Sequence, residues 1–71
     1  MPAKAKTLGE YLRELEKAKK EKPEQVREAL GIYLDLWQRA IKKGVVQHED
    51  EVEVALSKIE QSGGLYKAAE D

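Results

Sequence analysis

The single histidine, His48, is the residue best suited to acid–base or metal chemistry, and acidic residues follow it closely: Glu49, Asp50, Glu51 and Glu53. On a helix, His48 shares a face with Glu51. Metal sites in helical bundles draw carboxylates and histidines from several helices, and the other predicted helices offer no matching set. We therefore expect an exposed helix start where carboxylates favour the helix dipole, and no metal site.

The serine and threonine residues are the next candidates for catalysis, and the chain has three: Thr7, Ser57 and Ser62. A nucleophilic hydroxyl needs a base that is itself held by a third group. Thr7 is expected to cap a helix, Ser62 to end one, and Ser57 to lie on a polar face. The glycines lack the spacing of phosphate-binding loops. We expect no enzymatic activity, no cofactor and no small-molecule substrate.

A lysine-rich segment at the end of the first predicted helix suggests phosphate contacts: Lys17, Lys19, Lys20 and Lys22. The net charge is +3 over residues 1–22, −5 over residues 45–71 and −1 overall. Nucleic-acid binding usually requires arginines and a positive domain, so this balance argues against such a partner. The alternative function is a small nucleic-acid-associated or transcription-regulatory accessory protein that uses this Lys-rich end.

The spacing of apolar residues predicts helices and no strand. Thr7 and Glu10 form a capping-box pattern at the start of the first helix. Pro23 suits the first turn of the second helix, and Gly44 suits a left-handed cap at its end. A Ser-Gly-Gly sequence ends the third helix. The three helices are expected over about residues 7–20, 23–43 and 48–61.

The second helix is apolar on two overlapping sides. One face carries Val26, Leu30, Tyr33, Trp37 and Ile41, with Leu34 beside it, and the other carries Ala29, Ile32, Leu36 and Ala40. Such a helix needs more than one neighbour. We expect an all-α, small three-helix bundle in which the second helix packs between the first and the third.

Residues 1–71 are expected to form a single helical domain with flexible or weakly docked ends at residues 1–6 and 65–71. In the C-terminal segment, Leu65 and Tyr66 are the side chains able to dock. The N-terminus lacks the apolar run of a secretory signal, and no stretch is long and apolar enough for a membrane span. We expect a cytoplasmic protein that makes no contact with a membrane.

The surplus apolar surface of the second helix predicts a non-enzymatic protein–protein interaction or oligomerisation module. A chain this short buries only about 60% of the surface of its unfolded form, and it has no cysteine to stabilise it. We expect a homodimer, or a partner helix, on the Leu34 and Leu36 side of the helix. The predicted partner-binding residues are Leu34, Leu36, Trp37 and Ile41, and for Trp37 the alternative is core packing.

Two short segments resemble parts of known helical modules. Residues 34–44, LDLWQRAIKKG, are similar to the second helix of tetratricopeptide-like and microtubule-interacting-and-trafficking-like modules through Trp37, Ala40 and Ile41. That resemblance implies a groove for a partner helix or peptide, although bulky Tyr33 replaces an alanine of those modules. In residues 59–71, Ile59, Gly63, Ala68 and Ala69 resemble the start of the DNA-binding region of bacterial helix-turn-helix regulators. The recognition helix of those regulators has no counterpart in this segment. The chain is assigned to neither family.

Overall fold

Four α-helices make up the regular structure of residues 6–70, the part of the chain that the computed structural model describes. They are α1 (Leu8–Lys19), α2 (Glu24–Lys42), α3 (Val52–Gln61) and α4 (Leu65–Ala69). No strand occurs in this part of the chain, so the predicted all-α class and small helical bundle are confirmed. The predictions for residues 1–5 and residue 71 fall outside the described residues.

The capping box predicted at the start of α1 is present. The Thr7 hydroxyl accepts a hydrogen bond from the Glu10 amide at 3.2 Å, and the Glu10 carboxylate accepts one from the Thr7 amide at 3.0 Å. The other first-turn amides bond to carbonyls of the α2–α3 loop: Leu8 N to Asp50 O at 2.7 Å and Gly9 N to His48 O at 3.1 Å. The amides that a helix start leaves without an internal partner are therefore satisfied, two by the capping box and two by tertiary contacts.

The third helix begins at Val52, and the prediction that it begins near residue 48 is wrong. The carbonyl groups of His48 and Asp50 accept from α1, and the Asp50 amide donates to Gln47 O at 3.1 Å, which closes a turn. The Val52 amide donates in return to Lys6 O at 3.0 Å. The starts of α1 and α3 thus lie side by side, joined by an antiparallel bridge between residues 7 and 51.

Glycine ends both α2 and α3 with a Schellman motif. After α2, the Gly44 amide donates to Ile41 O and the Val45 amide to Ala40 O, both at 3.0 Å, and Gly44 has a φ of 82°. The left-handed cap predicted at Gly44 is confirmed. After α3, Gly63 N and Gly64 N donate to Glu60 O and Ile59 O at 3.1 and 2.9 Å.

Helix α2 packs against α1 and α4, and α3 does not take the position predicted for it. No Cα atom of α3 lies within 8 Å of one in α2, whereas α3 contacts α1 and α4. The pairing of the α1 and α3 starts holds α3 beside α1, and α4 fills the second position on α2. The core contains Leu8, Leu12, Leu34, Trp37, Ala40, Val46, Ala55, Ile59 and Ala68.

The C-terminal segment returns across α2 as a docked helical turn. Leu65 packs against the core, but Tyr66, the other side chain expected to dock, is 74% exposed. Two small side chains, Ala68 and Ala69, are buried instead, each 3% exposed. Gly64 permits this reversal through φ 110° and ψ 169°, a conformation open essentially to glycine alone. Residues 65–69 are therefore an integral part of the bundle.

No helix within residues 6–70 combines the length and the apolar character that crossing a bilayer requires.

The molecule is flattened, with extents of 40 × 31 × 16 Å. Such a shape leaves much of each helix at the surface, so the apolar side chains that remain exposed on α2 become relevant to function.

We predict opposite effects for alanine at two of the glycines. Gly64→Ala forces a side chain into a glycine-only conformation and should destabilise the fold by about 1–3 kcal/mol. Gly31→Ala lies within α2, where the nearest atom to a new Cβ is Lys19 Nζ at 4.0 Å, and should stabilise it by about 0.5–1 kcal/mol. Urea unfolding followed by circular dichroism measures both. Equal stability of the two variants would contradict the assigned role of Gly64.

We also predict that Asp50 makes stability depend on pH. Lys58 Nζ at 2.8 Å and the Gln47 amide at 2.9 Å donate to its carboxylate, and these hydrogen bonds lower the pKa of Asp50. The contribution is complete above the unfolded-state pKa of about 3.9 and is lost as the pH falls through the lower folded-state pKa. The melting temperature of Asp50→Asn should therefore fall less on acidification than that of the wild type.

The matched control for this experiment is Glu60→Gln, which removes one carboxylate from an exposed position of α3. Its melting temperature should fall with pH in parallel with the wild type, because no contact in the α2–α3 loop is lost. If Asp50→Asn also follows the wild-type curve, the Asp50 contacts do not contribute to folding stability.

Candidate functional site

The histidine and its neighbouring acids do not form a metal-binding cluster within residues 6–70. His48 is exposed, in an open hollow between the start of α1 and α2. No group of three histidine, aspartate or glutamate side chains in the described range is placed to hold a metal ion. Residues of the hollow include Thr7, Glu10, Arg13, Glu16, Gln38, His48 and Glu49. The mixture of charges favours solvation of this region.

The serines and most of the lysine-rich end are likewise exposed, whereas Thr7 is half-buried. Thr7 is engaged in the capping box, and Ser57 and Ser62 are exposed. Around the end of α1, Lys17 and Lys22 line a hollow together with acidic residues, Glu14 and Glu21. The structure therefore adds no observation in favour of the nucleic-acid alternative, which stays a prediction.

The structure separates the four predicted partner-binding residues. Leu34 and Trp37 lie in the core, 7% and 1% exposed, where they have almost no surface to offer a partner. Ile41 is half-buried and packs against the same core. Leu36 alone among them lines a surface groove. The burial of Trp37 supports the alternative that this residue packs in the core.

An apolar groove of about 430 Å³ runs between α2 and α4. None of its lining residues is charged, unlike those of the other surface hollows described. Ile32 at 58% and Tyr66 at 74% are its exposed large side chains, and Ala29 is exposed as well. The lining residues are Ala29, Ile32, Tyr33 and Leu36 from α2 and Leu65 and Tyr66 from α4. Exposed apolar surface of this kind is typical of interaction sites.

Tyr33 forms a fixed base for the groove. Its ring meets that of buried Trp37 edge-on, with the centroids 6.2 Å apart and the planes at 88°, a favourable aromatic geometry. Its hydroxyl lies 3.4 Å from the Tyr11 hydroxyl on α1. This hydrogen bond, followed by burial, raises the pKa of Tyr11 to about 12, so the Tyr11 phenol is a neutral group at physiological pH. The groove base is therefore held by contacts to α1 and to the core.

The outer rim of the groove is charged. Arg39 Nε donates to Asp35 Oδ2 at 2.9 Å, a pair separated by one helical turn on the exposed side of α2. Glu28 is exposed near the other end of the helix. At about 100° per residue, Glu28 and Arg39 fall within about 40° of Ile32 on the same flank. The rim thus carries an acid near one end of the apolar strip and a base near the other.

Leu36 is the one groove residue that belonged to the predicted partner-binding set, although the sequence signal for two others, Ala29 and Ile32, was also present. Ala29, Ile32 and Leu36 belong to the second apolar face of α2, and the two faces were expected to be covered by the first and the third helix. Because α3 lies elsewhere, this face is left partly open. The contributions of Leu65 and Tyr66 depend on the reversal at Gly64, and no spacing within α2 could reveal them.

Comparison with known protein families, with curated proteins and with solved structures finds no match to this chain. The assignment of a function therefore depends on the geometry of the groove.

We predict that Trp37 reports the intact core. Because its side chain is 1% exposed, its fluorescence should be shifted to the blue of that of the unfolded chain and resist quenching by acrylamide. Urea should produce a cooperative red shift that coincides with the loss of helical circular dichroism. An emission spectrum that does not change on unfolding would contradict the burial of Trp37.

Proposed function

We propose that this protein is a non-enzymatic interaction module that binds a helix of another polypeptide chain in the groove between α2 and α4. The observation that carries the proposal is the open apolar strip of α2, on which Ile32 is 58% exposed beside half-buried Leu36. Helix-in-groove recognition buries such a strip against the apolar face of a partner helix.

The spacing of the strip supports a helical partner. Ala29, Ile32 and Leu36 follow one another at intervals of three and four residues, so they fall within about 60° of one another around α2. A row of this kind is the ridge that packs between the side chains of a neighbouring helix. Tyr66 stands on the α4 side of the groove, where it can close over a helix laid along the strip.

The rigidity of the groove also supports docking. Tyr33 is held from α1 by Tyr11 and from within the core by Trp37. A surface that is ordered before it binds loses less conformational entropy on association. The protein would thus present a preformed apolar surface, with the Asp35–Arg39 pair at its rim to favour one orientation of the partner.

Photocrosslinking in living cells tests the proposed docking surface. A benzophenone amino acid placed at Ile32 should give a discrete covalent protein adduct, because a docked helix would lie against this side chain. The same probe at Val54, which is 44% exposed on α3, provides the matched control. Mass spectrometry of the linked peptides identifies what was bound.

Adducts at position 32 and none at position 54 would support the proposal, and adding Leu36→Glu to the position-32 probe should remove them. The absence of any adduct at position 32, or similar adducts from both positions, would show that the groove is not a docking surface. Circular dichroism establishes that each variant remains folded, as expected for substitutions of exposed or half-buried side chains.

A further inference from the structure

We infer that the helix bound in this groove is α2 of a second copy of the chain, which lies antiparallel to the first about a two-fold axis. This inference rests on the proposed function and names the partner. It is carried by the self-complementary order of apolar and charged residues along the exposed strip of α2, from Glu28 to Arg39.

The apolar part of the strip is symmetric about a midpoint between Ile32 and Leu36. In an antiparallel pair centred there, Ile32 of one copy faces Leu36 of the other, and the contact occurs twice. Ala29 faces Arg39 of the second copy, where a small side chain leaves room for the aliphatic part of the arginine. A two-fold interface requires one surface to complement itself in this way.

The charges at the rim match in the same register. At about 1.5 Å per residue, Glu28 lies roughly 9 Å from the midpoint and Arg39 roughly 7.5 Å from it on the other side. The two-fold axis keeps the same flank of both helices on the same side. Glu28 of one copy therefore comes level, to within about 1.5 Å along the helix axis, with Arg39 of the other.

Asp35 is the only charged residue between Glu28 and Arg39, and it does not oppose this arrangement. Across the axis, Asp35 lies nearest to Asp35 of the other copy. Both lie farther out on the flank than Glu28, and each is neutralised by Arg39 of its own chain at 2.9 Å. A parallel pairing, in which the two-fold axis runs along the helices, would instead bring Glu28 level with Glu28 and Arg39 level with Arg39 on opposite flanks, so that neither charge would meet its opposite. Electrostatic complementarity thus favours the antiparallel orientation.

Sedimentation equilibrium of the full chain measures the association. We expect the mass to rise with concentration from 8.1 kDa towards twice that value. Ile32→Glu should weaken the dimer by roughly 30-fold or more, since it places a charge at the centre of the contact. Val54→Glu, at a matched exposed position on α3, should leave the association unchanged. A mass that stays at that of the monomer up to about 1 mM overturns the inference.

Disulfide trapping tests the orientation, because the chain contains no cysteine of its own. Ile32→Cys and Leu36→Cys proteins are mixed and oxidised. The antiparallel pairing places position 32 of one copy against position 36 of the other, so the mixed dimer should form in excess of its statistical share. Predominant linkage of each variant to itself would indicate a parallel pair and would overturn the register.

Charge reversal tests the rim contacts by a double-mutant cycle. Glu28→Arg alone and Arg39→Glu alone should each weaken the dimer roughly 3- to 30-fold, since every pair occurs twice. The double variant exchanges the charges of the Glu28–Arg39 pair but still lacks the Asp35–Arg39 pair, so its loss should be smaller than the sum of the two single losses. Arg27→Glu, on the opposite side of α2, serves as the control for a change in net charge. Additive losses in the double variant would rule out the Glu28–Arg39 contact.

The failure of this inference can be distinguished from that of the proposed function. If the protein is monomeric but the probe at position 32 crosslinks to a different protein, the groove is a docking surface and the second copy is not its occupant. If position 32 gives no adduct and the protein is monomeric, both are overturned. Crosslinks between positions 32 and 36 of two copies support both.

Discussion

The architecture depends on the apolar perimeter of α2, which is wider than its neighbours can cover. Trp37 and Leu34 occupy the side that faces the bundle and define the core. The same helix carries Ile32 and Leu36 on an adjoining side, where α4 reaches only part of the surface. Burial of apolar area is the main favourable contribution to folding and association alike. The portion of α2 left uncovered by folding therefore remains available for association.

The reason for this incomplete cover lies in how the chain is routed. Paired backbone hydrogen bonds join the starts of α1 and α3, and hold α3 beside α1. The second position on α2 passes to α4, whose five residues, Leu65–Ala69, form little more than one helical turn. Its buried side chains are alanines. A short helix with small side chains approaches α2 closely but covers little of its length, so a groove remains beside it.

The groove combines properties that suit it to recognition. Its base is fixed by the Tyr11–Tyr33–Trp37 contacts, its lining is apolar, and its rim carries opposite charges near the two ends of the strip. A helix that presents the same order of side chains in the reverse direction satisfies all of these features, and α2 is such a helix. The proposed self-association follows from this symmetry of the strip, and no catalytic group is required for it.

The sequence by itself determined α1, α2 and most of α3, and several of their ends, because these depend on local interactions. Thr7 and Glu10 marked the start of α1 and Gly44 the end of α2, where a capping box and a left-handed cap act over a few residues. Periodicity also revealed the two apolar faces of α2. Only the tertiary structure decided which helix covers each face, since this depends on bonds between distant segments, such as those of Leu8 with Asp50. The groove exists because those long-range contacts placed α3 elsewhere.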